Sequence, residues 1–362
     1  MNIIIAFILF LHASIHLAGY LKSRNPAKVK SLNASISKNE GLAWLACTVL
    51  LIASGVLLLL GISKWWIAGA AALALSQALI IANWKSAKFG TILNILILLA
   101  VVAGFADANF YNTYKSDAAD AVAKVNNVRS TISVNELDSL PLPVKRYLIK
   151  AGVSGTAVPS AVRIEFEGEM RSRTLDWFSF RSEQLNTIAD PCRLFFMRGK
   201  IFGIPVNGYH QFRNGSADMN VKLLSLVSVA SNSGREMTQS ETVTYFNDVC
   251  LFVPAALADK RITWGRSDDN SAEAYYTAFG ITVKATLYFD NEGMLVNFIS
   301  DDRYDLSSGK NERVRFSTPV RDFKKHNGVL IPSYGETVWQ YPEGDFVYGQ
   351  FNLNKIEYDP GE

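Results

Sequence analysis

Four long apolar runs dominate the first 108 residues of the chain, and polar residues separate them. Each run has about the 20 residues that a helix needs to cross a hydrocarbon core of about 30 Å. None of the four carries Asp, Glu, Lys or Arg in its interior. The pattern predicts four transmembrane helices, at Ile3–Leu21, Leu42–Ile62, Trp65–Trp84 and Phe89–Ala106.

Basic residues are unevenly distributed among the loops between these helices. The first loop contains five Lys or Arg residues and the third contains two, whereas the second contains only Lys64. Because loops rich in Lys and Arg stay in the cytoplasm, the N-terminus and everything after the fourth helix are expected outside it. No positive segment precedes the first run, as it would in a cleaved signal peptide. The sequence therefore predicts a multi-pass protein of the inner (cytoplasmic) membrane.

Two histidines four residues apart, His12 and His16, lie on one face of the first predicted helix. The other predicted helices offer no third histidine, so we expect no metal there. Polar side chains inside a membrane usually bond to other helices, and Gln77 and Asn94 are the expected partners. A proton relay or small-ligand site is the alternative.

Hydrophobic periodicity changes after the fourth helix. Residues 109–155 form a predicted helical connector, with one helix at Ala118–Val128 and a capping box from Ser133 to Glu136. A further helix starts at the prolines near residue 142 and ends at Gly152. From residue 156 to 362 the period becomes two, with turn signals about every ten residues, which predicts antiparallel strands. One helix interrupts them before Pro254.

The predicted fold is thus an α-helical membrane domain at residues 1–108 joined to an α+β, mainly antiparallel β, extracytoplasmic domain. A single large sheet with so few helices must close into a barrel or curl around the helices it has. We expect a curled sheet or half-barrel with an apolar hollow; a fully packed core is the alternative. The residues expected to line the hollow are aromatic: Phe166, Phe178, Phe180, Phe195, Phe196, Trp264, Tyr288, Phe289, Phe298 and Trp339.

Charge and cysteine content exclude several classes of function. A net charge of +3 without a basic stripe gives no reason to expect nucleic acid as a partner. No nucleotide, hydrolase or metalloprotease motif is present, so no cofactor or metal is predicted, and His210 is a lone strand histidine. Cys192 and Cys250 either form a disulfide, which an oxidising compartment permits, or remain two buried thiols.

Three functions are compatible with these features. The first is a non-enzymatic, membrane-anchored protein that binds membrane lipid, an acyl chain or another hydrophobic small molecule. The second is a cell-envelope enzyme that uses an acidic and arginine cluster of Glu241, Asp248, Asp302 and Arg303, although such clusters are more often structural ion pairs. The third is an assembly partner of another membrane protein.

Several segments resemble a widespread bacterial family of unknown function. They are "LPLPVKRYLIKAGV", "VRIEFEGEMR", "ETVTYFNDVCLFVPAALADKRITW" and "ATLYFDNEGMLVNFISDDR", and "NWKSAKFGTILN" is similar to members with N-terminal helices. This resemblance implies no activity and no catalytic residues. More loosely, the β-rich part is similar to the lipoprotein-localisation fold, which implies a curled sheet that carries acyl chains in a hollow.

Overall fold

The computed structural model of the protein describes residues 1–27, 29, 35–125, 131–307 and 311–360. The chain divides into two compact units. The first contains Met1–Asn112 together with Leu224–Leu226, and the second contains Thr113–Leu223 and Val227–Glu362.

The first five helices of the described chain are α1 (Asn2–Arg24), α2 (Lys38–Leu59), α3 (Trp65–Ala82), α4 (Trp84–Ala87) and α5 (Gly90–Lys124). Helices α1, α2, α3 and α5 are long and apolar enough to cross a membrane, as the four apolar runs predict. The separate helix expected from Ala118 is instead the end of α5. No Gly or Pro lies between Ala106 and Lys124, so nothing in the sequence breaks the helix there. The expected end of that helix, at Val128, lies outside the described residues.

Small residues let helices of the first unit approach closely. Gly19 of α1 lies against the indole ring of Trp44, and a Cβ atom there would collide with the ring. Gly55 of α2 lies against Phe10 in the same way, with a Cβ position only 2.6 Å from the phenyl ring. Such contacts are typical of helices that associate in membranes.

Three helices belong to the second unit: α6 (Val134–Asp138), α7 (Leu142–Ala151) and α8 (Arg235–Phe252), the last followed by a 3₁₀ turn at Pro254–Ala258. The predicted capping box is present, since the Ser133 hydroxyl and the Glu136 carboxylate each bond the other's backbone N–H. Gly152 ends α7 in the left-handed conformation, at φ 79°. The predicted helix before Pro254 is α8.

Fifteen strands follow the helical connector within the described ranges of the chain. They are β1 (Ala161–Met170), β2 (Phe178–Thr187), β3 (Cys192–Ile201), β4 (Ile204–Arg213), β5 (Ser216–Leu223), β6 (Val227–Ser233), β7 (Ile262–Ser267), β8 (Ser271–Ala278), β9 (Ile281–Phe289), β10 (Leu295–Ser300), β11 (Tyr304–Asp305), β12 (Glu312–Arg313), β13 (Arg315–His326), β14 (Val329–Tyr341) and β15 (Gly344–Tyr358).

Thirteen of these strands form one antiparallel sheet in the order β6-β5-β4-β3-β2-β1-β15-β14-β13-β10-β9-β8-β7. The first and last strands of the chain, β1 and β15, pair at its centre. The two edges are β6 and β7, and the sheet is not closed into a barrel. Helix α8 is the connection between these two edges, and it contacts strands of both halves of the sheet. The predicted large antiparallel sheet with an interrupting helix is therefore confirmed.

Helix α8 is buried along most of its length. On one side Phe246 stacks on Tyr276, with ring centroids 5.1 Å apart, and meets the edge of Phe298. At its C-terminal end the Tyr147 hydroxyl donates to the Cys250 carbonyl oxygen at 3.0 Å. The Tyr358 hydroxyl donates to the Phe252 carbonyl oxygen at 2.9 Å. These bonds satisfy carbonyl groups that a helix end leaves without intrahelical partners.

Candidate ligand-binding site

Helix α8 carries charged residues into the interior of the second unit. Glu241 is 3% exposed and Asp248 is 7% exposed, although both are acidic. Glu241, Thr244, Asp248 and Leu251 follow one another at intervals of three and four residues, so they share one face of the helix. Buried carboxylates need a charged or hydrogen-bonding partner, and the sheet supplies one.

Arg193 of β3 is that partner. Its Nε donates to Asp248 Oδ2 at 2.7 Å and its Nη1 donates to Glu241 Oε2 at 3.0 Å. Its Nη2 donates to Gln184 Oε1 at 3.1 Å. The amide groups of Gln184 and Asn186 also donate to Asp248 Oδ2, at 2.8 and 3.3 Å. All three nitrogens of the guanidinium are therefore occupied.

Strand register brings these side chains together. Gln184 and Asn186 are two residues apart on β2, so they point to the same face of the sheet. Arg193 is directly opposite Asn186 across the β2–β3 pair. On β4, His210 is opposite Phe195, and its Nδ1 lies 3.6 Å from Glu241 Oε1.

The electrostatics of this network follow from burial and from Arg193. Burial by itself would raise the pKa of Glu241, but Arg193 and the neighbouring His210 outweigh it and lower that pKa to about 2. For Asp248, burial is the larger effect and raises the pKa above its ordinary value, although Arg193 opposes it. The two carboxylates raise the pKa of Arg193 itself, which stays charged.

A cavity of about 170 Å³ lies beside this face of α8. Its wall is mainly apolar and combines residues of α8 with strands from the first and last parts of the sheet. The apolar members include Phe166, Phe195, Met197, Leu251, Phe252, Phe316, Val320, Phe351 and Leu353. The buried ion-pair network of Arg193, Glu241 and Asp248 belongs to the same wall.

Four buried polar atoms of the wall have no hydrogen-bond partner among the described residues. They are Asn247 Oδ1, Arg303 Nε, Thr318 Oγ1 and Ser333 Oγ. An unpaired buried polar atom is unfavourable by about 1–3 kcal/mol. These four atoms need water or a bound polar group to supply the missing hydrogen bonds.

Of the aromatic residues predicted to line a hollow, Phe166 and Phe195 line the cavity. Phe196 lies on the opposite face of β3, with its ring 5.6 Å from Tyr114 of α5, because successive strand residues alternate between faces. Phe180 is buried against Phe351 without lining the cavity. Phe178 is half-buried at the same end of β2.

The other predicted lining residues lie elsewhere in the domain. Phe298 belongs to the packed core around Phe246, and Phe289 packs on Tyr147. Tyr288 is exposed and Trp264 is half-buried on β7, an edge strand. Trp339 is buried behind the wall, stacked on Tyr348.

Three of the four residues of the predicted acidic and arginine cluster lie around the same cavity. Glu241, Asp248 and Arg303 line the cavity. Asp302 does not, because its carboxylate accepts a bond from the Lys284 backbone and pairs with Arg313 at 3.3 Å. Sequence reasoning missed Arg193, although its position shares the phase of the buried Phe195 and Met197 on β3.

Cys192 and Cys250 are both free and buried, so the described structure contains no disulfide between them. Cys192 starts β3, whereas Cys250 faces the interior from α8. Burial raises the pKa of the Cys192 thiol to about 12 and raises that of Cys250 as well. Both are therefore protonated, unreactive thiols at neutral pH.

In the first unit, His12 and His16 face other helices. His12 Nε2 lies 2.9 Å from Asn94 Oδ1 and 2.9 Å from the Ser76 hydroxyl. His16 Nε2 lies 2.8 Å from the same hydroxyl. Asn94 in turn donates to Gln77 Oε1 at 2.9 Å. These contacts between α1, α3 and α5 favour the structural interpretation of the histidine pair.

We expect Arg193→Met to destabilise the protein by about 3–5 kcal/mol, because it leaves two buried carboxylates without their cation. Urea unfolding of the full chain in detergent micelles, followed by tryptophan fluorescence, measures this change. Arg181→Met is the matched control, since Arg181 is 83% exposed and its ion pair with Glu167 is long, at 3.9 Å. Equal effects of the two variants would contradict the role given to Arg193.

The contribution of Glu241 should depend on pH. Its pKa is about 2 in the folded protein against an ordinary value of 4.5. A lowered pKa stabilises the fold fully above the ordinary value, and this contribution is lost as the pH falls toward 2. The free energy difference between wild type and Glu241→Gln should therefore be largest above pH 4.5 and shrink below it. A difference that is unchanged between neutral and strongly acidic pH would show that the carboxylate charge is not its source.

Comparison with known proteins gives a family and two solved structures. No curated protein matches the chain. Among solved structures, a DUF1329 family protein from Desulfovibrio piger ATCC 29098 is 12% identical with a TM-score of 0.33, and the match covers 63% of this chain and 93% of that one. A LolA superfamily protein from Nitrosomonas europaea is 10% identical with a TM-score of 0.30, and the match covers 55% of this chain and 86% of that one.

The family match covers the second unit from α6 to β15. It extends over residues 130–351, more than half of the 362 residues. The resemblance to a family of unknown function that the sequence segments indicated is thereby confirmed. The chain belongs to the DUF6544 family, a family of unknown function.

Proposed function

We propose that this protein is a membrane-anchored binding protein whose β-rich domain holds a hydrophobic ligand with a polar group. The observation that carries the proposal is the cavity beside α8. Its wall is mainly apolar, and four of its buried polar atoms have no partner among the described residues.

The size of the cavity limits what it can enclose. At about 170 Å³ it is close to the engineered cavity of about 150 Å³ that binds benzene in another protein. It therefore suits one ring or a short stretch of alkyl chain. Several of its wall residues, such as Met170 and Tyr348, are half-buried, so a longer tail has a way out. A single acyl chain fits this description better than a whole two-chain lipid.

An acid–base enzyme has less support from the same geometry. Glu241 and Asp248 are both bonded to Arg193, which holds each carboxylate in place. Asp302, the third carboxylate of the enzyme hypothesis, lies outside the cavity and pairs with Arg313. The network is better suited to shape one side of a binding site.

In this proposal the helices α1, α2, α3 and α5 anchor the protein in the membrane. Their length and composition are compatible with spanning. The excess of Lys and Arg in the first and third loops favours a β-rich domain outside the cytoplasm. An anchored binding domain of this kind would take up or deliver membrane lipid.

Filling the cavity should block binding. An octan-1-ol that carries a diazirine should label α8 and β15 of the full chain in phosphatidylcholine nanodiscs, as mapped by peptide mass spectrometry. We expect Thr244→Trp, whose side chain enters the cavity, to reduce this labelling by about tenfold or more, which corresponds to about 1.4 kcal/mol. Thr277→Trp on the exposed side of β8 is the control and should leave the labelling unchanged. Absence of labelled cavity peptides in the wild type would refute the proposal.

The orientation is testable with single cysteines. A membrane-impermeant maleimide should label Ser63→Cys and Thr277→Cys in intact spheroplasts. Ser86→Cys, in the third loop, should react only after lysis. The three native cysteines are buried, so the background is low. Labelling of Ser86→Cys before lysis would reverse the orientation.

A further inference from the structure

We propose that the cavity selects ligands with an anionic oxygen headgroup, and that Arg303 is the residue that binds it. This inference rests on the proposed function, because it names the chemical class of the ligand in the same site. Two kinds of ligand have such a headgroup on a single apolar tail: one carries a carboxylate and the other a phosphate monoester.

The guanidinium of Arg303 is held in a fixed position. It lies over the ring of Phe316 at 4.2 Å and over the ring of Trp339 at 5.0 Å. These two aromatic residues are paired across β13 and β14, and Trp339 stacks on Tyr348. Arg303 Nη1 donates to the Tyr348 hydroxyl at 2.6 Å. The faces of the guanidinium are therefore against aromatic rings, and its orientation is set before any ligand binds.

One edge of this guanidinium remains unused. Arg303 Nε is buried without an acceptor, and no described carboxylate forms a salt bridge with Arg303. The positive charge of Arg303 contributes to lowering the pKa of Glu241, but that carboxylate is hydrogen-bonded to Arg193. The two arginines of the wall thus differ: each nitrogen of Arg193 donates to a protein group, whereas Arg303 Nε has no acceptor among the described residues.

A hydroxyl group of β13 adds a second donor on the side of Arg303. Thr318 lies two residues after Phe316 and faces the same side of the sheet, and its hydroxyl is buried without a partner among the described residues. We infer that an anionic oxygen group beside Arg303 Nε accepts a further bond from the Thr318 hydroxyl. Hydrogen bonds to an ionised acceptor are about twice as strong as neutral ones, so an anion gains more here than an alcohol.

The acidic residues of the wall do not offer a site for a cation. Glu241 and Asp248 are paired with Arg193. Glu336 accepts a bond from the Tyr334 hydroxyl at 2.8 Å and lies 3.5 Å from Arg321. Among the described wall residues Asn247 Oδ1 is an unpaired acceptor, and it would suit the protonated oxygen of a phosphate monoester.

The test compares headgroups on one tail length. Octanoate, octyl phosphate and octan-1-ol compete with the diazirine probe for labelling of α8 in the full-length protein in phosphatidylcholine nanodiscs. We expect at least one of the two anions to compete at about 10- to 100-fold lower concentration than octan-1-ol. A preference for octanoate identifies a carboxylate source, and a preference for octyl phosphate identifies a phosphate source.

Variants assign the preference to Arg303. Arg303→Met should abolish the preference for anions while octan-1-ol still competes. Arg303→Lys keeps the charge but lacks the Nε donor, so it should retain part of the preference. Arg315→Met is the matched control, because Arg315 begins β13 next to Phe316, is paired with the exposed Asp301, and lies outside the cavity wall.

The outcomes separate this inference from the proposed function. Equal competition by all three compounds in the wild type, with the cavity still labelled, would overturn anion selection and leave hydrophobic binding intact. An anion preference that survives in Arg303→Met would overturn the role of Arg303. Loss of all cavity labelling in the wild type would remove both proposals. The wild-type comparison needs no variant, so it remains decisive if Arg303→Met does not fold.

Discussion

The ion pair of Arg193 with Glu241 and Asp248 is the constraint on which the interior of the β-rich domain depends. Helix α8 links the two edges of the sheet and is buried, together with two of its carboxylates. Taking either carboxylate out of water is unfavourable by several kcal/mol unless a cation and further hydrogen bonds compensate. Arg193, Gln184 and Asn186 supply that compensation from two adjacent strands. The network therefore fixes both the rotation of α8 about its axis and its position along the sheet.

This arrangement gives the two sides of α8 different roles. The side that carries Phe246 packs against Tyr276 and Phe298 as an ordinary apolar core. The side that carries Glu241 and Asp248 is held by directional bonds, and beside it the aromatic and aliphatic side chains enclose a cavity. Each nitrogen of Arg193 donates to a protein group, whereas Arg303 has a buried Nε without an acceptor among the described residues. The same residue type thus serves structure at Arg193, and we propose that it serves recognition at Arg303.

The helical unit follows a similar principle at a smaller scale. Polar side chains are unfavourable within a membrane, and several of them are buried where helices meet. His12, His16, Ser76 and Asn94 form one connected group between α1, α3 and α5. Small residues such as Gly19 allow the close helix packing that brings polar groups into contact.

The sequence by itself determined the four apolar helices, the antiparallel sheet, the helix before Pro254 and the caps at Ser133 and Gly152, because these depend on local periodicity and local hydrogen bonds. Only the tertiary structure decided which polar and aromatic side chains meet. Alternation along β3 assigns Phe195 and Phe196 to opposite faces, but it does not say which face receives α8. Arg193 bonds to Asp248, which is 55 residues away in the sequence, and Arg303 bonds to Tyr348, which is 45 residues away. Such contacts depend on strand order and register, which bring distant segments together and leave no periodic signal in the chain.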